Sequence, residues 1–281
     1  MLRWQIEDYL TTFLLILRAK IKNWKTSKTL QPKNYDYGNN KRQYLLWYKS
    51  QSEIKRKNII FFIHGGGWNK GNPEFFKFIA DYFTKLGFIT VMPAYRLAPE
   101  FQFPSQEIDV FEALKKTLNI LKNLSIKKNI IIAGQSAGAQ LGALLLLNEE
   151  MQNKYKINKE LFSGFLSISG PLNLARPCQT ERAKKLLFAF VPSYKKRQKA
   201  NPINYINSDF NTAIFCLHGA KDPLVPKAHS IEFIERLKSK SRAETKLKIY
   251  RNRHHSDLTK IFFDNKKTGQ VVKKWLLKID N

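Results

Sequence analysis

The sequence predicts an α/β fold, a mostly parallel central sheet with helices on both faces. Short apolar, β-branched runs recur along the chain, and helix-length amphipathic segments separate most of them, which is the alternation that such a sheet requires. The length of 281 residues, with 43% hydrophobic and 25% charged residues, suits one large folded domain spanning 1–281 with an extensive core.

Strands are read at Tyr44–Tyr48, Ile59–Ile63, Phe88–Met92, Ile130–Ala133, Phe165–Ile168, Ala213–Leu217 and Leu247–Tyr250. Amphipathic helices are read at Pro73–Lys85, Ser105–Asn123, Ala137–Glu149, Lys227–Lys238 and Thr268–Ile279. Two stretches break the alternation and are expected to form a small cap over the sheet. They are residues 1–40 and residues 171–205, the latter carrying Pro177, Pro192, Pro202 and a basic cluster from Lys195 to Lys199.

The apolar run Tyr9–Leu17 is too short for a bilayer span, which takes about 20 residues. Glu7 and Asp8 interrupt a secretory n-region, and no small-x-small cleavage site follows. Wound as a helix, the segment places Leu10, Phe13, Leu14, Leu17, Ile21 and Trp24 on one face, with basic residues beside them. Such a stripe either lies on an anionic membrane or covers the mouth of the chain's own site, and the second is the preferred reading.

The formal net charge of +27 favours anionic partners, although the lysines are scattered along the whole chain, as a coding bias would leave them. No nucleic-acid motif accompanies the charge, so no nucleic-acid partner is expected. Cys178 and Cys216 are the only cysteines, which excludes a disulfide framework and a four-cysteine metal site and favours a reducing, cytoplasmic setting. No cofactor or metal is expected, since no His, Cys and carboxylate cluster has ligand spacing.

The chemistry concentrates in three places. Gly134-Gln135-Ser136-Ala137-Gly138 sits between the strand-like Asn129–Ala133 and the helical run that follows. This strand, turn and helix context makes Ser136 a candidate nucleophile on a strained turn, with Gly134 and Gly138 where a side chain would clash. Upstream, an apolar strand runs into His64-Gly65-Gly66-Gly67-Trp68. Consecutive glycines expose backbone N–H groups, so Gly66 and Gly67, with Ala137, are candidates for stabilising an oxyanion. Downstream, His218-Gly219-Ala220-Lys221-Asp222-Pro223 follows a strand and offers Asp222 as the carboxylate, and Arg251 to Leu258 offers two adjacent histidines, His254 and His255.

From residue 58 onward the chain resembles the hormone-sensitive-lipase-like branch of the α/β hydrolases, through its HGGGW segment and Tyr95-Arg96-Leu97-Ala98-Pro99-Glu100, followed by Asp109. Gln135 departs from the acidic residue usual in that branch, and Gly-Gln-Ser-Ala-Gly looks more like the prenylcysteine methylesterases, with formylkynurenine formamidases as further relatives. The resemblance implies a carboxylic ester hydrolase with a Ser136, His255 and Asp222 triad, His255 being preferred because His255-Ser256-Asp257-Leu258 resembles a methylesterase segment. It also implies that His64 orients the glycine loop, flanked by Gly65 and Trp68, and that Arg96, Glu100 and Asp109 support the site. An amidase or formamidase of the same fold and a non-catalytic binding protein on the same scaffold are the alternatives. His218 is read as a structural residue and His229 as a surface one.

Overall fold

The computed structural model describes residues 2–263 and 267–281. Eight strands form one sheet in the order β1 (Lys33–Asp36), β2 (Tyr44–Tyr48), β4 (Thr90–Pro93), β3 (Asn58–Ile63), β5 (Asn129–Gln135), β6 (Phe162–Ile168), β7 (Ala213–Gly219) and β8 (Thr245–Tyr250). The first two pairings are antiparallel, and every pairing from β4 to β8 is parallel. This is the α/β-hydrolase architecture anticipated above.

The central strands read as unbroken apolar runs because both of their faces are covered. Ile59, Phe61 and Ile63 of β3 join one core, with α3 (Ser105–Asn123), α4 (Ala137–Leu147) and α8 (Ala228–Lys240), while Ile60 and Phe62 join the other. That second core is closed by α1 (Leu2–Ser27), α2 (Lys77–Lys85) and α9 (Lys267–Asp280). Helix α4 is buried at every residue and, Gln140 apart, is built of apolar residues, as a helix covered on all sides requires.

Boundaries moved where local geometry intervened. The segment expected to be helical from Pro73 opens with a 3-10 turn over Glu74–Phe76, and Phe76 departs from helical angles before α2 begins. The helix expected to reach Glu149 ends at Leu147, because Asn148 leaves helical conformation and caps α5 (Glu149–Tyr155) by accepting from the Met151 N–H. Strand β1 was not anticipated. Its Lys-Asn-Tyr-Asp sequence has no apolar alternation, and it lies on the sheet edge, where burial imposes none.

Residues 171–205 form a cover containing α6 (Glu181–Phe190) and α7 (Tyr194–Lys199). Phe190 of α6 stacks on Trp68 with ring centroids 4.3 Å apart, which seats the cover on the glycine loop. Helix α1 supplies the other part of the cap, by a different face from the one expected. Asp8, Leu15, Ala19 and Thr26 are buried, while Leu10, Phe13, Leu14, Leu17, Ile21 and Trp24 point outward at 50–64% exposure. The reason is visible at Asn23, whose amide oxygen accepts from the Phe78 N–H while its nitrogen donates to the carbonyl oxygens of Glu74 and Phe75, fixing the helix rotation on α2.

Candidate active site

Ser136 ends the turn between β5 and α4 with φ 54° and ψ −122°, a left-handed backbone for a non-glycine residue. The neighbouring glycines make that turn possible. A Cβ on Gly138 would lie 2.1 Å from the Ile63 carbonyl oxygen, and one on Gly134 would lie 2.5 Å from that of Gly138. Ala137 begins α4, so its backbone N–H belongs to the unpaired first turn, beside the positive end of the helix dipole.

Ser136, His255 and Asp222 meet at the C-terminal edge of the sheet although they come from three separate loops. His255 Nε2 is 2.8 Å from Ser136 Oγ, and His255 Nδ1 is 2.7 Å from Asp222 Oδ2. An ionised carboxylate only accepts, so Nδ1 carries the proton and Nε2 is left to accept from the serine hydroxyl. All three residues are buried.

Burial alone would raise the Asp222 pKa, yet the His255 charge and hydrogen bonds from His218 and His255 outweigh it and hold the carboxyl well below its usual range. Leu224 and Val225 also donate their backbone N–H groups to Asp222 Oδ1, at 3.0 and 2.8 Å. For His255, burial works against the charged ring, but Asp222, with a contribution from Asp8, overrides it and raises the imidazole pKa. The arrangement can take a proton from a hydroxyl and stabilise the resulting imidazolium.

The adjacent histidine faces elsewhere. His254 Nε2 lies 3.4 Å from Glu7 Oε2 of α1, and its backbone N–H donates to Asp257 Oδ1. His218 is structural as expected, fully buried and bonded to Ser230 and the Val225 carbonyl oxygen. His229 is not a surface residue. It is 8% exposed and accepts from the Asn173 N–H, because the start of α8 packs beneath the cover segment, and burial pushes its pKa down to about 3.

The glycine loop is braced on all sides. Gly66 and Gly67 have positive φ, 130° and 62°, which a larger residue would adopt only under strain. His64 is buried, its pKa pushed down to about 3 chiefly by that burial, and it stacks on Tyr95 with centroids 4.3 Å apart. Gln135 fills the space beside Gly65, where a Cβ would meet its amide oxygen at 1.9 Å. Trp68 Nε1 donates to Gln140 Oε1 of α4 at 3.0 Å.

The Arg96 guanidinium grips the buried Asp109, with Nη2 and Oδ1 2.8 Å apart, whereas Glu100 is exposed. Sequence reasoning missed Arg42. Its side chain donates to the carbonyl oxygens of Tyr95 and Gly71, tying the glycine loop to the Tyr95–Glu100 segment. No local motif marks this arginine, which arrives from the loop between β1 and β2. Cys178 and Cys216 are both free thiols, and burial raises the pKa of Cys216 to about 12.

Ser136 opens onto two unequal spaces. One, of about 390 Å³, is roofed by Leu15, Ile16 and Lys20 of α1 and floored by the glycine loop. The other, of about 50 Å³, lies towards the 171–187 cover, against Trp68, Leu174 and Val225. Ser136, Gly67, Leu186 and Leu224 border both.

The chain is similar to several known proteins. Over 222 residues the chain is 26% identical to esterase LipQ of Mycobacterium tuberculosis (strain ATCC 25618 / H37Rv), covering 72% of this chain and 51% of that protein. It is 22% identical over 239 residues to a probable isoprenylcysteine alpha-carbonyl methylesterase, ICMEL1, of Oryza sativa subsp. japonica, covering 79% and 56%. The chain thus spans about half the length of these curated relatives. Among solved structures, esterase B from Lactobacillus Rhamnosis (HN001) superposes with a TM-score of 0.76 over 100% of this chain and 96% of its own, at 15% identity, which shows the shared fold. The family model described as BD-FAE matches residues 46–237, well over half of the sequence and including the glycine loop, the serine turn and Asp222, and the chain belongs to that family.

Proposed function

We propose that this chain is a serine hydrolase that cleaves carboxylic esters through an acyl-enzyme, with residues 1–281 acting as one catalytic domain. The observation that carries the reading is the continuous relay from Ser136 through His255 to Asp222, at 2.8 and 2.7 Å. His255 takes the hydroxyl proton as Ser136 Oγ attacks the ester carbonyl, then returns it to the leaving alcohol; Asp222 holds the imidazole tautomer and stabilises its cation. The N–H groups of Gly66, Gly67 and Ala137 stabilise the tetrahedral oxyanion, and water repeats the cycle to release the acid. Esterase names among the relatives support the reaction class.

The two spaces beside Ser136 favour an ester with one long apolar limb and one short one. Fluorophosphonate labelling and nitrophenyl ester turnover test the core assignment. Both should vanish in Ser136→Ala, and undiminished turnover in that variant would overturn it.

No helix among the described residues is long and apolar enough to cross a membrane. The outward stripe of α1 supports peripheral docking on an anionic phospholipid surface instead. Eight of the twelve exposed large hydrophobic side chains among the described residues lie on this helix. Arg18, Lys20, Lys25 and Lys28 accompany them, and no acidic residue occurs between Asp8 and Asp36. Paired Leu14→Glu and Leu17→Glu substitutions should abolish co-sedimentation with phosphatidylserine vesicles; retained binding would remove α1 from that role.

A further inference from the structure

Asp8 lies on α1, 4% exposed, and its Oδ1 accepts from the backbone N–H of His255 at 3.1 Å, across 247 residues of sequence. A carboxylate is a poor choice for packing at such a place. Burial raises its pKa, the neighbouring charge of Asp222 raises it further, and His255, its N–H bond and Arg182 offset only part of that cost. Leu15 and Ala19 already seat the helix, so packing of α1 does not require an acid at this position.

The segment that carries His255 has no regular structure between β8 and the 3-10 turn beginning at Asp257. Its carbonyl and amide groups are pinned one by one: Lys221 donates to the Arg253 carbonyl oxygen, His254 donates to Asp257, and His255 donates to Asp8. Glu7, next to Asp8, faces His254. Two consecutive acids of α1 therefore engage two consecutive histidines.

We propose that Asp8 is a positioning residue for the catalytic base: by holding the His255 backbone it lets one imidazole reach Ser136 and Asp222 together. The inference rests on the triad reading above. It makes the cap helix part of the machinery as well as its roof, so that a base competent for proton transfer is assembled only when α1 is docked. The charged and titratable groups facing His255 are Asp222 from the β7–α8 loop, Asp8 from α1 and Arg182 from α6, with His218 behind Asp222 and His254 and Asp257 in its own loop.

The test compares Asp8→Ala and Asp8→Asn in the full chain, with melting temperature and circular dichroism to verify folding. Asp8→Ala removes the acceptor; kcat and the rate of fluorophosphonate labelling should fall about tenfold or more, with KM within about threefold. Asp8→Asn keeps an oxygen that can accept from the His255 N–H. It should recover most of kcat, while loss of the negative charge moves the ascending limb of the pH–rate profile to lower pH. A native kcat and pH profile in Asp8→Ala would overturn the proposal, as would equal impairment in both variants. Absence of labelling in the unsubstituted chain would instead sink the triad reading, so the two failures are distinct.

Discussion

The Nε2 of His218 lies 3.3 Å from Asp222 Oδ2, the same oxygen that receives the His255 Nδ1 proton at 2.7 Å. Because Nε2 also meets the Val225 carbonyl oxygen at 2.7 Å, it must carry a proton, while Nδ1 is hydrogen-bonded to the Ser230 hydroxyl at 2.7 Å. A second imidazole thus donates to the same carboxylate oxygen as His255. His218→Ala should lower kcat/KM for a nitrophenyl ester roughly 10- to 100-fold, the scale of one hydrogen bond to a buried charge, with little change in KM. Unchanged kcat/KM would reduce His218 to a packing residue.

The serine turn leaves no room for side chains. Gly138→Ala would press a methyl group to 2.1 Å from the Ile63 carbonyl oxygen and 2.4 Å from that of His64, neither of which can move without shifting β3. A loss of about 3 kcal/mol or more in urea unfolding is expected, along with activity. Gly142→Ala, further along the same helix, meets only side-chain atoms at 3.0 Å or beyond and should cost clearly less.

These turns explain which parts of the site were legible in sequence. Ser136, its flanking glycines and the His64–Trp68 loop are local patterns, because each is one continuous backbone device. The loops after the late strands offered Asp222 and the His254–His255 pair, but only the family resemblance gave Asp222 its role and preferred His255 over His254. Arg42, Asp8 and the second role of His218 were not legible, since each acts across the fold on a backbone group or a carboxylate and leaves no local spacing. The α1 stripe shows the opposite limit: its periodicity gave a correct helix, yet amphipathicity cannot say which face turns inward when polar anchors such as Asn23 fix the rotation.

The pH profile follows from the two shifted groups. A general base must be unprotonated, and the His255 pKa is raised, so kcat/KM should climb with pH through an inflection above the ordinary imidazole value of about 6.5. Asp222 is held well below the usual carboxylate range and should add no inflection between about pH 4 and 6. Asp222→Asn should lower kcat by several orders of magnitude: the Leu224 and Val225 N–H groups hold the remaining oxygen, so the amide NH2 faces His255 Nδ1, donates to it and fixes the wrong tautomer.

Away from the site, Glu107 of α3 is buried, and that burial lifts its pKa to about 7 against a hydrogen bond from Asn148. A carboxyl raised on folding favours the native state below its unfolded pKa, near 4.5, and that contribution is lost as pH rises through the folded value. Glu107→Gln keeps the acceptor for Asn148 and removes the titration. It should stabilise the protein at pH 8 by about 2–3 kcal/mol and have little effect near pH 4.5, as thermal melts at the two pH values would show.

Leu186 of α6 offers the most direct handle on specificity, because it borders both spaces beside Ser136. Its side chain is also the group that a Cβ on Gly67 would meet, at 2.8 Å, so it closes over the glycine loop. Truncation to alanine removes the partition between a space of about 50 Å³ and one of about 390 Å³ while leaving the hydrogen-bond relay in place. A nitrophenyl series from acetate to decanoate, together with methyl and hexyl esters of one acid, reads each limb separately. Leu186→Ala should extend the tolerated length of the short limb by two or more carbons, roughly the volume of the methyl groups removed, at a modest loss of kcat/KM for the best substrate of the native chain. If the length profile does not move, the two spaces are not the seats of the two ester limbs.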